Sequence, residues 1–181
     1  PSMHSSQNEQ DSRFYGKFAL MPILEPSSQQ EAYDMMGYAY NLSEELKLPI
    51  LMRVTTRMAH SRAVVKTASV REPNEINNNA DLSNFILLPV NARRRYAELV
   101  SQQTRLENLS EESPYNRYAA PEKTVKRGIV ACGIGWNYVN ECFPDGCHIP
   151  CLKISQYPLP QKLLRDMAEK CEEIIVVEDG Q

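Results

Sequence analysis

Side chains able to do chemistry gather at three places in this chain. The first is Met3-His4-Ser5-Ser6-Gln7-Asn8-Glu9-Gln10-Asp11-Ser12-Arg13, where imidazole, hydroxyl, amide, carboxylate and guanidinium groups follow one another with almost nothing apolar between them. Such a run cannot be core, and by composition alone it is a solvated surface loop. The second is Thr55-Thr56-Arg57-Met58-Ala59-His60-Ser61-Arg62, which follows an apolar run. Arginine suits a carboxylate or phosphate because its planar fork gives two aligned donors. Arg13, Arg53, Arg57 and Arg62 are therefore candidates for holding such a group, and His4 and His60 for moving a proton. The third is the set of five cysteines, all in the last third of the chain. Cys142, Cys147, His148 and Cys151 read C-x4-C-H-x2-C, yet neither a C-x2-C pair nor a C-x2-C-x2-C-x3-C run is present. Free thiols are the expectation, with a Cys/His metal site as the alternative.

The elements that must position these groups follow from spacing and punctuation. Phe14 to Ala19 begins an aromatic-rich turn of helix that Pro22 and Pro26 bring to an end. Ser28-Gln29-Gln30-Glu31 is a capping box, and Ala32, Met35, Met36, Ala39, Leu42 and Leu46 form one apolar stripe of a helix reaching about Lys47. Leu48-Pro49 stops it, and Ile50 to Thr55 reads as a short buried strand. In open α/β sheets, ligands meet the loops beyond the carboxyl ends of strands, which puts the second group where binding residues gather. A polar strand exit held by local hydrogen bonds is the alternative. Residues 70–84 are too polar to bury themselves and predict a connector. Phe85-Ile86-Leu87-Leu88 is either a short edge strand or an anchor for it. Asn91 is placed to cap a helix through about Ser110, whose stripe of Ala92, Tyr96, Leu99, Gln103 and Leu106 suits a surface helix. The arginines Arg93 to Arg95 are then its exposed first turn.

Beyond the punctuation of residues 113–121 the pattern becomes regular: strand 127–132, helix 136–142, strand 150–155, helix 160–170, strand 173–178. Such a βαβαβ order implies a parallel sheet with right-handed crossovers. Gly133-x-Gly135 lacks the third glycine of a dinucleotide fingerprint and reads as a tight strand-to-helix turn. The chain has 181 residues, 42% of them hydrophobic, enough for one ordinary domain or two small ones. A net charge of −3 gives no broad basic face for nucleic acid. No run approaches the roughly 18 apolar residues of a membrane span, and no basic-then-apolar leader opens the chain. No membrane contact and a cytoplasmic place are expected. The chain starts on Pro1-Ser2 rather than a methionine, as an excerpt of a longer polypeptide would.

Several phrases together, in order, carry a resemblance: the polar stretch 3–13, Leu24-Glu25-Pro26-Ser27, Leu51-Met52-Arg53-Val54-Thr55-Thr56-Arg57, Asn91-Ala92-Arg93-Arg94-Arg95, Tyr157-Pro158-Leu159-Pro160 and Val176-Val177-Glu178. The chain resembles the middle of the indolepyruvate:ferredoxin oxidoreductase alpha-subunit family, among the thiamine-diphosphate-dependent 2-oxoacid oxidoreductases. The resemblance implies an α/β fold in which residues 1–62 end a pyrimidine-binding-type parallel domain. Residues 63–123 are then a connector with a surface helix, and residues 124–181 a small transketolase C-terminal-like parallel βαβαβ domain. It implies a parent that decarboxylates aryl-pyruvates oxidatively to aryl-acetyl-coenzyme A with ferredoxin as acceptor. Thiamine diphosphate with Mg2+ and [4Fe-4S] clusters belong to that parent, as do a beta subunit, ferredoxin, coenzyme A and the 2-oxoacid as partners. No Gly-Asp-Gly diphosphate motif, activating-glutamate segment or ferredoxin-type cysteine run stands in this chain. It is therefore expected to hold none of those cofactors, to have no metal ligands and to be inactive alone. By resemblance, His4, Ser5, Ser6, Gln7, Asn8, Glu9, Gln10, Asp11 and Arg13 shape the site; by position Arg53, Thr55, Thr56, Arg57, His60 and Arg62 do, with His4 and Arg57 the catalytic candidates. A self-contained, non-catalytic α/β interaction module is the other reading.

Overall fold

The computed structural model describes residues 10–76 and 81–179. The chain forms seven helices and seven strands among those residues, in a mixed α/β arrangement of two small sheets. Helix α1 (Arg13–Ala19) is followed by β1 (Ile23–Leu24), α2 (Gln29–Leu46), β2 (Leu51–Met52) and α3 (Thr56–His60). After a single 3-10 turn at Leu82–Asn84 come α4 (Pro89–Ser101), α5 (Gln103–Glu111) and β3 (Arg117–Tyr118). The remainder is β4 (Val125–Cys132), α6 (Gly135–Cys142), β5 (Cys151–Ile154), β6 (Gln156–Tyr157), α7 (Gln161–Lys170) and β7 (Cys171–Val177). The first sheet has the order β2-β1-β6 and the second β3-β5-β4-β7. Pairs β1/β2, β4/β5 and β4/β7 are parallel, while β6 and β3 run antiparallel to their neighbours.

The second sheet has the expected alternation of strand and helix, and the reason lies in its period-two core. Val130, Cys132, Leu152 and Ile154 face one side, where they cluster with Met167, Leu163 and Leu164 of α7. Ile129, Ala131 and Cys151 face the other, against Val139 and Trp136 of α6. Successive residues of a strand point to opposite faces, so one apolar run serves both helices. Ile23 of β1 and Tyr157 of β6 belong to the first of these clusters, so apolar packing is continuous from one sheet to the other. Ser155 joins β5 to β6 and carries the pairing across, its carbonyl accepting from Glu25 N at 2.7 Å.

Helix α2 begins at the capping box. Ser28 is its N-cap and accepts from Glu31 N at 3.2 Å. Of the expected stripe, Met35, Leu42 and Leu46 are buried, whereas Met36 is 44% exposed and stands outside it. Leu42 and Leu46 pack on Leu106 of α5 rather than on a sheet.

Three further expectations change. The strand expected over 50–55 pairs only at Leu51–Met52, because Thr55 leaves the ladder to cap α3, accepting from Met58 N. Phe85 to Leu88 is no edge strand: it lies beyond a 3-10 turn capped by Asp81, and Phe85 and Leu87 are largely exposed. The following helix starts at Pro89, two residues ahead of Asn91, whose side-chain amide instead donates to Ile86 O. Proline suits that first turn because its missing N–H would have had no partner there. A break at Gln102 divides this helix in two.

The connector is laid along α2 by polar contacts: Gln30 takes Lys66 N and donates to Lys66 O, Tyr33 Oη accepts from Ala68 N, and Asn41 and Glu44 hold Arg71 and Asn74. Val64 and Val70 are fully exposed.

Candidate functional site

The carboxyl ends of β1, β2, β4 and β7 converge, three of them delivering charged side chains and β4 the glycine on which one of these packs. Glu25 follows β1, Arg53 follows β2, Gly133 follows β4, and Glu178 and Asp179 follow β7. The Arg53 Nη1 is bonded to Glu25 Oε1, both side chains being 1% exposed. Arg53 Nη2 donates to Asp179 O at 3.0 Å, and Tyr157 Oη donates to the second Glu25 oxygen at 2.8 Å. The base of the polar loop joins the same network. Asp11 Oδ1 accepts from Arg13 N and Nε at 3.0 and 2.8 Å and lies 3.8 Å from Arg53 Nε. Arg13 Nη1 in turn donates to Glu178 Oε2 at 2.5 Å. Arg53 Nε is buried without a hydrogen-bond partner among the described residues.

Electrostatics decide what these groups can do. Burial pushes the Glu25 carboxyl above its ordinary value, against the pull of Arg53 and Arg13 and the bond from Tyr157. Burial likewise drives the Tyr157 phenol far up, so it stays a donor. Burial works against the charges of Arg13 and Asp11 too. Their mutual bonds outweigh it, holding the guanidinium above and the carboxyl below their ordinary values. A buried charge set of this kind is compensated from within and acts as a staple. Both terminal nitrogens of Arg53 are already committed to the chain itself.

Gly133 makes this staple possible. Its φ is +49°, and a Cβ there would stand 2.5 Å from the Glu25 Cγ. At Gly135 a Cβ would meet the Val177 carbonyl oxygen at 2.4 Å. The two glycines thus serve close packing at a strand-to-helix turn, and the Glu25 carboxylate seated on Gly133 makes the turn hostile to phosphate.

The expected site residues divide accordingly. His4, Ser5, Ser6, Gln7, Asn8 and Glu9 lie outside the described residues. Asp11, Arg13 and Arg53 are brought together; Gln10 is exposed beside Tyr15, whose hydroxyl donates to it. Thr55 is buried as the cap of α3, Thr56 is half-buried, and His60 and Arg62 are exposed away from the staple. Arg57 is exposed with its guanidinium 5.6 Å from the centre of the Tyr138 ring. Glu25, Tyr157, Glu178 and Asp179 were not singled out. Glu25 carried a signal all the same, as an acid set directly after two apolar residues and between Pro22 and Pro26.

Among the described residues no three His, Cys, Asp or Glu side chains converge as metal ligands, and Cys142 and His148 are exposed. No helix among them is long and apolar enough to cross a membrane.

No family model matches the chain. Over 99% of its length it is 39% identical to the indolepyruvate oxidoreductase subunit IorA of Methanothermobacter thermautotrophicus. It is 36% identical to that of Archaeoglobus fulgidus and 34% to that of Thermococcus kodakarensis. The chain spans 29% of the length of each of these relatives. A solved 2-oxoglutarate:ferredoxin oxidoreductase from Magnetococcus marinus is 16% identical with a TM-score of 0.40, over 53% of this chain and 17% of that one, a likeness too distant to bear on the site. The resemblance to indolepyruvate oxidoreductase alpha subunits is borne out along essentially the whole chain.

Proposed function

We propose that this chain is the central part of an indolepyruvate:ferredoxin oxidoreductase alpha subunit, working in the cytoplasm within a larger complex. Residues 1–62 close a pyrimidine-binding-type domain and residues 124–181 form a transketolase C-terminal-like one, joined by the connector 63–123. The parent converts an aryl-pyruvate and coenzyme A to aryl-acetyl-coenzyme A and carbon dioxide, passing electrons to ferredoxin. Thiamine diphosphate with Mg2+ supplies the electron sink for that decarboxylation, and [4Fe-4S] clusters carry the electrons onward. The rest of the alpha subunit and a beta subunit hold those groups. The residues described here do not fit them, since Asp11 and Glu25 already take arginines.

This chain's own contribution is to orient. The loop 4–13 and the strand exit 55–62 border the substrate, His4 and Arg57 touching it. Arg57 offers its fork to the 2-oxoacid carboxylate or a coenzyme A phosphate, while Asp11, Arg13, Arg53 and Glu25 fix the roots of both segments. One observation carries this reading: both segments are rooted in one buried ion-pair network at the carboxyl edge of the strands. Holding a reactant in register supplies a large share of a catalytic advantage, and a displacement of about 1 Å can cost about a hundredfold in rate.

In the complete subunit paired with its partner, Arg57→Ala or His4→Ala should slow turnover about tenfold or more. Arg94→Ala, on the exposed face of α4 where Arg94 pairs with Glu98, should leave it unchanged. Equal rates for all three would remove the case for these two segments. The chain alone should show no calorimetric binding of thiamine diphosphate with magnesium and no decarboxylation of indolepyruvate. Tight binding by the chain alone would overturn the assignment of the cofactor to other parts of the complex.

A further inference from the structure

Two of the five thiols are brought into one apolar cluster by the loop between α6 and β5. The loop opens with a turn closed by Gly146 N donating to Phe143 O at 3.0 Å. Gly146 then takes φ +98°, which an L side chain rarely adopts, and sends Cys147 back towards the sheet. A bend at His148 and Ile149 completes the reversal just before β5 starts at Cys151. Cys147 therefore packs on the cluster of Ile129, Ala131, Val139 and Cys151, which puts both thiols in one apolar cluster on one face of the sheet. Cys151 Sγ donates to Ile149 O at 3.1 Å. Cys142 ends α6 exposed, and Cys132 and Cys171 lie in the cluster on the opposite face of the sheet.

We propose that Cys147 and Cys151 are an oxidative modification site, closing to a reversible disulfide when the thiols meet hydrogen peroxide. Of the pair, half-exposed Cys147 is the thiol a peroxide reaches first, Cys151 being buried. Its sulfur attacks one peroxide oxygen, the O–O bond breaks, and a sulfenic acid forms with release of water. Cys151 sulfur then attacks the sulfenic sulfur, the S–S bond forms, and the departing hydroxide takes the Cys151 proton as a second water. Two thiols lose two electrons and two protons while the peroxide is reduced to two waters. Burial, followed by the contact with Cys147, pushes the Cys151 thiol up to about 12, which leaves the first attack on the peroxide to Cys147. The new bond ties the α6–β5 loop to the first residue of β5.

The chain is treated with hydrogen peroxide, free thiols are blocked with N-ethylmaleimide, and intact mass and fragment spectra are read. The pair is expected to lose two hydrogens as a monomer, to leave Cys132, Cys142 and Cys171 alkylated after unfolding, and to reopen with dithiothreitol. Cys142→Ser should keep this behaviour and Cys147→Ser abolish it. Because Cys151 is buried and its variant can fail to fold, Cys147→Ser is the deciding one. Five alkylated cysteines after peroxide, a bridge that includes Cys142, or a bridge between two chains would each overturn the proposal.

Discussion

Replacing Arg53 by alanine removes the cation from a carboxylate that is 1% exposed. Breaking a buried pair from one side costs about 3–5 kcal/mol, because the remaining charge stays desolvated. The Asp179 carbonyl also loses its Nη2 donor, adding about 1 kcal/mol. Domains of this size are stable by about 5–15 kcal/mol, so about a quarter or more of the whole is at stake. The loss should depend on pH in a definite direction. Burial already raises Glu25 above 4.5, and without Arg53 it rises further. A group whose folded value is raised favours the fold below its unfolded value, and that advantage disappears as pH climbs through the folded value. Urea unfolding of Arg53→Ala should thus show a deficit that is larger at about pH 8 than at about pH 5. Asp11 is held below 3.8 and stays ionised at both. Glu25→Gln combined with Arg53→Met should recover most of the loss, since neither buried charge then remains. A deficit under about 1 kcal/mol, or one equal at both pH values, would refute the buried-staple argument.

Two glycines should respond oppositely to alanine. Gly37 in α2 has nothing within 4 Å of a built Cβ, and Gly37→Ala should stabilise by about 0.5–1 kcal/mol in thermal melts. Gly133→Ala faces both a left-handed φ and the Glu25 side chain and should destabilise by about 2 kcal/mol or more. Limited proteolysis should cut first within residues 64–76, where the backbone has no regular structure and Val64 and Val70 stand fully exposed. Residues 113–116 should resist, because Ser113 and Asn116 are buried and Asn116 bonds Ser110 O, Gln156 O and the amides of Ser155 and Gln156. Earlier cleavage at 113–116 would show that those bonds do not hold the segment.

What was legible in the sequence followed from local rules. The Ser28 cap, the apolar runs of β4 and β5 and the amphipathic α7 each announce themselves within a few residues. Even there the long-range partner was hidden. Glu31 of the capping box bonds Ser27 N and Oγ with one oxygen and the buried Lys153 of β5 with the other, across 122 positions of chain. The break at Gln102 has no Gly or Pro to mark it. Two-residue strands such as β1 and β6 carry too few side chains for an alternation to show, so their antiparallel pairing, and with it the meeting of Tyr157 and Glu25, could not be read. The site was therefore half legible: Arg53, Arg13 and the neighbouring Asp11 stood out in the sequence, while Glu25, Glu178 and the Asp179 carbonyl that also bind the two arginines come from remote segments.

The proposed function is tested by reduction of oxidised ferredoxin by the complete alpha subunit, purified anaerobically with its beta subunit. Ferredoxin reduction should require both indolepyruvate and coenzyme A, be matched by release of carbon dioxide and fall in the Arg57→Ala variant. A complex fully loaded with thiamine diphosphate and iron-sulfur clusters that reduces ferredoxin with no aryl-pyruvate would contradict it.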